Sequence, residues 1–382
     1  MTRLTRSCAF LAAALCLAGP AAAQFPGITL PPNGNNQPSS VTQRIGLVRV
    51  TIDYSSPDVH SPRGEDRTGK VWGALVPYGM ANLGFGTCGD QCPWRGGANE
   101  NTVFTTSHDV KVQGQPLPAG SYGLHFIPGQ DEWTVIFSKN NTAWGSFFYD
   151  AKEDALRVKA KPAKSEYTEW LTYDFIDRQP AQATVALKWE SLRVPFTIAV
   201  DDMPGLYVAN IRRELQSSAG FTWQGWNAAA QYALENKTNL EEGLRWAEHA
   251  VNDPFSGQVS FATLSTLAQL QDATGKAEDS KKTMDRAVNH PTAAVGDLHQ
   301  FGRQLLAQKK TAEAMKVFEL NAKRFPETWP VHVGLARGHA ALGHKKEALD
   351  HARQALKQAP DAASRANLEN VIKQLEEGKA ID

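Results

Sequence analysis

Hydrophobic and polar positions change rhythm once along this chain. Up to about residue 200 apolar side chains tend to alternate with polar ones, the period of a strand with one buried face; from about residue 220 they recur every three or four residues, the helical period. Val48, Val50, Ile52 and Tyr54 share one face of the first extended segment, opposite Arg49, Thr51 and Asp53. Strands are predicted next at residues 71–79, 102–106, 110–113, 122–127, 133–138, 146–149, 155–161, 168–175, 184–189 and 194–200. Gly114, Pro118, Gly120, Pro128 and Gly129 stand between several of them. Many short strands with no convincing helix predict an all-β sandwich or jelly-roll-like N-terminal domain over residues 41–201. Pro195 cannot donate to a ladder, which puts the last strand at an edge or starts it there.

After a linker at residues 202–219, residues 220–382 are expected to form successive helical hairpins. Ala314 and Ala348 lie 34 positions apart, as do Pro326 and Pro360, and 34 is the tetratricopeptide period. Residues 311–327 and 346–361 are the second helices of two such units. Residues 297–308 and 331–343 are their first helices, with Phe301 and Gly302 supplying the large and small residues the motif calls for. Weaker copies at 226–254 and 264–291 each need a one-residue shift to align. A hairpin of this kind can bury its apolar face only against a neighbour, so three to four units stack into an all-α, tetratricopeptide-like C-terminal domain. Such a surface suits a protein or peptide partner.

The ends and the charge balance add compartment and exclusions. Residues 1–23 combine Arg3 and Arg6, an apolar run and a small-residue site at Ala21 to Ala23, the pattern of a cleaved signal peptide. Cleavage leaves no membrane-spanning segment, and residues 24–40, rich in Pro, Asn, Gln and Ser, are expected to form a flexible leader. A periplasmic or secreted protein follows. Cys8 and Cys16 leave with the signal, so Cys88 and Cys92 are expected to form a disulfide. Forty basic and forty acidic side chains give net charge zero, which argues against nucleic acid as a partner.

Several short motifs in the β region resemble a bacterial family catalogued as domain of unknown function 2911. They are YSSP at 54–57, VPYG at 76–79, WRGGANE at 94–100, LPAGSYGL at 117–124, IPGQDEWTVIF at 127–137 and the later WESLRVPF. The resemblance covers roughly residues 41–200 and implies the same β fold, with tetratricopeptide-like tails known in some members. It implies no reaction. The chain departs from the family pattern between VPYG and WRGGANE, where MANLGFGTCGDQCP, with both mature cysteines, intervenes.

Tyr54, Trp94, Arg95, Asn99, Glu100 and His125 are the candidate ligand-binding residues. Arg95 has the fork for a carboxylate or phosphate, and Trp94 a face for a sugar or other ring. The plainer alternative, which is preferred, is a turn that Arg95, Asn99 and Glu100 tie down while Gly96 and Gly97 supply unusual dihedrals. His125 is expected to point into a cleft, because Tyr122, Leu124 and Phe126 cannot all share its face. His60, His108 and His125 lack the spacing of a metal motif, and the CxxxC of Cys88 and Cys92 is neither a redox pair nor a zinc set. Phosphate loops, dinucleotide fingerprints and serine elbows are absent, so neither a cofactor nor a catalytic residue is assigned. Trp223, Trp226, Trp246 and Trp329 fall at helical spacing and are expected to be core or cap residues.

The protein is expected to be a binding or interaction protein that uses the repeat surface. The second possibility is a small-ligand receptor or hydrolase-like enzyme with a cleft around Arg95, Asn99 and Glu100.

Overall fold

The computed structural model describes residues 36–61, 64–326, 328–379 and 381. Residues 1–35, which hold the expected signal peptide and most of the expected leader, lie outside the described residues. Two compact units emerge, one of strands and one of helices.

The strand unit contains β1 (Gln37–Ile45), β2 (Val48–Ser56), β3 (Val103–Thr106), β4 (Val110–Val112), β5 (Gln115–Leu117), β6 (Gly120–Ile127), β7 (Trp133–Ser138), β8 (Asp154–Ala160), β9 (Ala163–Gln179) and β10 (Gln182–Ala199). Six form a sheet in the order β1-β2-β3-β6-β7-β8, and four form a second in the order β5-β4-β10-β9. Alternation decides the inward faces: Val48, Val50 and Ile52 of β2 are fully buried while Arg49 is exposed. Phe137 of β7 meets Phe104 of β3 at 5.1 Å and Phe196 of β10 at 6.0 Å, so the two sheets share one aromatic core. At one end of that core Trp72 is edge-on to Trp94, Trp133 and Trp189 at 5.2 to 5.7 Å.

Several expectations about this unit are corrected. β1 begins inside the segment read as leader, because Val41, Gln43 and Ile45 still offer a face to bury. Residues 71–79 form turns and one isolated bridge, Trp72 to Val76, since Gly73 and Gly79 take positive φ where a strand needs extended backbone. Residues 146–149 are also a turn, with the Tyr149 amide donating to the Ser146 carbonyl. The segments at 184–189 and 194–200 are one strand, β10, kinked at Glu190, whose φ is +53°.

Pro195 therefore lies in an interior strand. It is tolerated because pairing of β10 with β9 ends at Arg193 and pairing with β4 is in place at Ile198. The Gln113 side chain reinforces that junction, accepting from the Thr197 amide and donating to the Lys159 carbonyl, each at 2.9 Å.

The helical unit opens with α1 (Met203–Glu214), so most of the expected linker is helix, started by Asp202 capping the Gly205 amide at 2.8 Å. Then follow α2 (Trp223–Glu235), α3 (Leu240–Asn252), α4 (Phe261–Ala273), α5 (Ala277–Asn289), α6 (Val295–Ala307), α7 (Thr311–Arg324), α8 (Trp329–Ala341), α9 (Lys345–Lys357) and α10 (Ala362–Glu376). α4, α6 and α8 begin 34 residues apart, as do α5, α7 and α9, so the copy at 264–291 needs no shift. Pro291 and Pro326 lie 35 residues apart, so the helices and not the prolines keep the 34-residue register. Only the α2–α3 pair departs, by 38 and 37 residues.

Phe318 of α7 shows why small residues recur. A Cβ on Gly302 would lie 2.3 Å from its ring and one on Gly334 2.6 Å away, so α6 and α8 can approach α7 only through glycine. Phe318→Ala is expected to lower stability of the helical unit by about 3–5 kcal/mol, read as an earlier helical transition in urea, because the ring is 1% exposed and its removal leaves a cavity.

Candidate functional site

Both faces of β6 are covered. Tyr122 through Phe126 are all buried, which one inward-facing surface cannot achieve, so the outer face must be roofed by other chain. Two loops provide the roof, residues 80–102 and 139–153.

The WRGGANE segment is part of it. Trp94 and Phe126 exchange both backbone hydrogen bonds at 2.7 and 2.8 Å, and the Leu124 amide donates to the Thr102 carbonyl at 2.7 Å, so residues 95–101 are an excursion between two points anchored on β6. Gly96 has φ +65°, and a Cβ there would lie 2.6 Å from both the Phe126 ring and the Tyr173 hydroxyl. That hydroxyl donates to the Gly96 carbonyl at 2.7 Å. Only glycine satisfies both the dihedral and the space.

The candidate residues are each engaged within this framework. Arg95 donates to the Asn99 carbonyl and lies 5.0 Å from the centre of the Phe147 ring. Burial lowers its pKa, with the Glu100 charge opposing. Asn99, at φ +55°, accepts from Asn36 at 2.9 Å, and Glu100 accepts from the Ser55 hydroxyl at 3.2 Å. Tyr54 stands edge-on to Tyr173 at 4.8 Å. Trp94 is packed among Trp72, Trp133, Trp189 and Phe126, so its ring helps fill the core.

His125 does not face an open cleft. It is 2% exposed, its Nδ1 lies 3.0 Å from the Ser146 hydroxyl, and its ring meets Tyr149 edge-on at 5.5 Å. Burial, and secondly the Arg95 charge, push its pKa down to about 4, so it is neutral at pH 7.

An open cleft of about 540 Å³ lies on the other side of Tyr149, lined by Met80, Thr87, Cys88, Gln91, Asp150 and Arg157. The Tyr149 hydroxyl donates to Asp154 at 2.8 Å and accepts from Arg157 at 2.7 Å, and Arg157 Nε donates to the same carboxylate at 2.5 Å. Burial and then Asp154 raise the phenol well above its ordinary range, so it stays protonated. The Cys88–Cys92 disulfide, as expected, packs with Ile136 and Tyr149 in a small outer core that fixes one wall. Tyr149 and Arg157 were not singled out from the sequence, because they belong to no spaced motif. The available signal was the inserted cysteine loop, which marks where the roof differs.

The helical unit carries a second concave feature. A cleft of about 530 Å³ bordered by Arg303, Leu306, Ala340, Lys345 and Leu375 adjoins one of about 170 Å³ bordered by His299, Trp329, Val333, Leu368 and Val371. Arg303, Arg337 and Ile381 line both. The groove thus runs along α6, α8 and α10, the first helices of their units. Among the described residues no Asp or Glu lines either cleft, and burial followed by the charges of Arg337 and Arg303 pushes His299 down to about 4. Trp246 is buried in the core of the helical unit as expected, whereas Trp329 borders this groove. Among the described residues no group of three or more His, Cys, Asp or Glu could hold a metal ion, and no helix is long and apolar enough to cross a membrane.

His125 makes the β unit acid-sensitive. Its folded pKa is depressed, so the unfolded chain binds the proton more readily and stability is lost as pH falls from about 6.5 towards 4. His125→Gln is expected to flatten that slope by up to about 3 kcal/mol, measured by urea unfolding across the window. Arg95→Ala is expected to lower the melting temperature of the β unit, because it leaves the Asn99 carbonyl without its donor.

Structural similarity was found for tetratricopeptide proteins. YrrB, titled a TPR protein with an unusual peptide-binding site, aligns at 15% identity over 44% of this chain and 84% of its own, with a TM-score of 0.31. MamA aligns at 9% over 41% and 88%, TM-score 0.31. The C-terminal part of a TPR repeat-containing protein from Cytophaga hutchinsonii aligns at 12% over 46% and 67%, TM-score 0.35. No curated protein matches the sequence. Residues 36–198, the β unit ahead of the helical region, match the family described as "Protein of unknown function (DUF2911)".

Proposed function

We propose that this is an exported binding protein whose helical unit takes an extended, acidic peptide or protein segment in the groove along α6, α8 and α10. The observation that carries the reading is the groove's make-up. Its floor is apolar, from Leu306, Ala340, Leu375 and Val333, while Arg303, Arg337, Lys345 and Lys379 stand along it with no acidic side chain among the described residues of the lining. In a chain of net charge zero that is a local excess, and it selects for carboxylates beside apolar side chains. Lys379 is paired with Glu377 and Lys345 donates to the Glu376 carbonyl, and Arg303, which borders both clefts, is the cation placed to meet a ligand carboxylate.

Export follows from the signal-like residues 1–23 and agrees with a disulfide between Cys88 and Cys92. Cell fractionation with thiol labelling tests it: a cytosolic protein with two free thiols would contradict export.

The cleft beside Tyr149 supports a second reading, a small polar ligand held by the β unit. Its volume lies within the ordinary range for such sites, and Asp150, Gln91, Thr87 and Arg157 offer both donors and acceptors.

With residues 24–382 and labelled acidic peptides, Arg303→Glu is expected to weaken binding about tenfold or more while leaving helicity unchanged, read by fluorescence polarisation and circular dichroism. Equal binding by the charge-reversed protein would defeat the groove reading. For the cleft, a metabolite that raises the melting temperature of the wild type is expected to lose that effect in Arg157→Ala.

A further inference from the structure

The α8–α9 pair differs from α6–α7 in the chemistry of its seam. In α6 and α7 three seam positions are Leu298, Leu305 and Val317, all buried. Thirty-four residues later the same positions hold His332, His339 and His351. The substitution exchanges three aliphatic side chains for three titratable ones at places the fold uses for packing.

These histidines touch. His332 Nδ1 and His351 Nδ1 are 3.3 Å apart, with rings stacked at 5.6 Å. His351 is parallel to His339 at 5.5 Å, and His339 lies 5.8 Å from His344 at the start of α9. The facing Nδ1 atoms can share one proton, one ring donating and the other accepting. A second proton sets two cations against each other where the neighbouring walls are Ala336, Ala348, Ala352 and Leu375.

Among the described residues, little nearby could neutralise that charge. From α6, His299 approaches Gly334; from α7, Met315 and Phe318 pack on Gly338 and Gly334. α10 contributes Val371, Ile372 and Leu375, while its Glu376 is paired with Arg353. Arg337 of α8 lies on the groove side, where its charge acts on His299. Asp350 is the carboxylate that acts on His351, and burial with the charges of His332 and His339 outweighs it, depressing the His351 pKa.

We propose that the α8–α9 hairpin is an acid-sensitive element, closed while the His332, His351 and His339 row is at most singly protonated and loosened when a further proton enters. Trp329, Val333 and Arg337 of the groove sit on the same helix α8, so the seam also governs that wall of the groove.

Hydrogen exchange on residues 24–382 with EDTA present, corrected for intrinsic rates, tests this between about pH 7.5 and about pH 5.5. Protection across residues 329–357 is expected to fall at least about tenfold while residues 295–324 change less than about threefold. The variant H332L/H339L/H351V, which installs the α6–α7 residues, is expected to hold its protection at both pH values. If that triple variant does not fold, His351→Val alone is expected to reduce the fall. Equal loss in both hairpins, or none in either, overturns the proposal. So does loss of protection at the higher pH on adding EDTA, which would make a metal ion the partner of the row.

Discussion

The β unit depends on the double burial of β6 and β7. A strand pair with one wet face would need only the sandwich core, yet Ile136 and His125 are as hidden as Phe126 and Phe137. The outer face therefore has to be covered by irregular chain, whose polar backbone must be satisfied at every step. The chain meets that demand by anchoring Trp94 and Thr102 on β6, threading Gly96 beneath Tyr173, and clamping the 80–92 loop with a disulfide. A polar group in this layer, such as His125 on Ser146, is held neutral and bonded, which is what a buried layer permits.

This constraint also explains where the candidate residues went. Arg95, Asn99 and Glu100 look like recognition groups by type, but Arg95 holds the Asn99 carbonyl within the roof, Asn99 accepts from Asn36, and Glu100 accepts from Ser55 of β2. What the roof leaves open is its edge, where Tyr149, Arg157 and the disulfide loop surround a cleft. Phe85, 68% exposed, and Phe148 stand next to one another near that edge. The rigid parts of the unit thus lie under the conspicuous motif, and the accessible part lies beside it.

Strands whose alternation reports one buried face, such as β2, β3 and β8, were legible in the sequence. The roof was not. Val71, Trp72 and Val76, or Phe147 and Tyr149, are apolar enough to suggest strands, but they are buried by loops bent at glycines, and periodicity cannot distinguish those cases. In the helical unit the spacing of Ala314 and Ala348 fixed the architecture. The histidine row was visible only after aligning α8 and α9 on α6 and α7, because His332, His339 and His351 form no motif among themselves. A repeat makes such departures readable, since each neighbour states what the position normally holds.

The gap at Pro195 has a mechanical consequence. Because β10 bonds to β9 up to Arg193 and to β4 only near Ile198, the four-stranded sheet is two ribbons sharing one backbone, joined end to end rather than side by side. Twist imposed on the long β9–β10 ribbon is transmitted to β4 and β5 chiefly through that one covalent stretch and the Gln113 carboxamide. The sandwich can accordingly curl sharply at this corner without shearing a ladder.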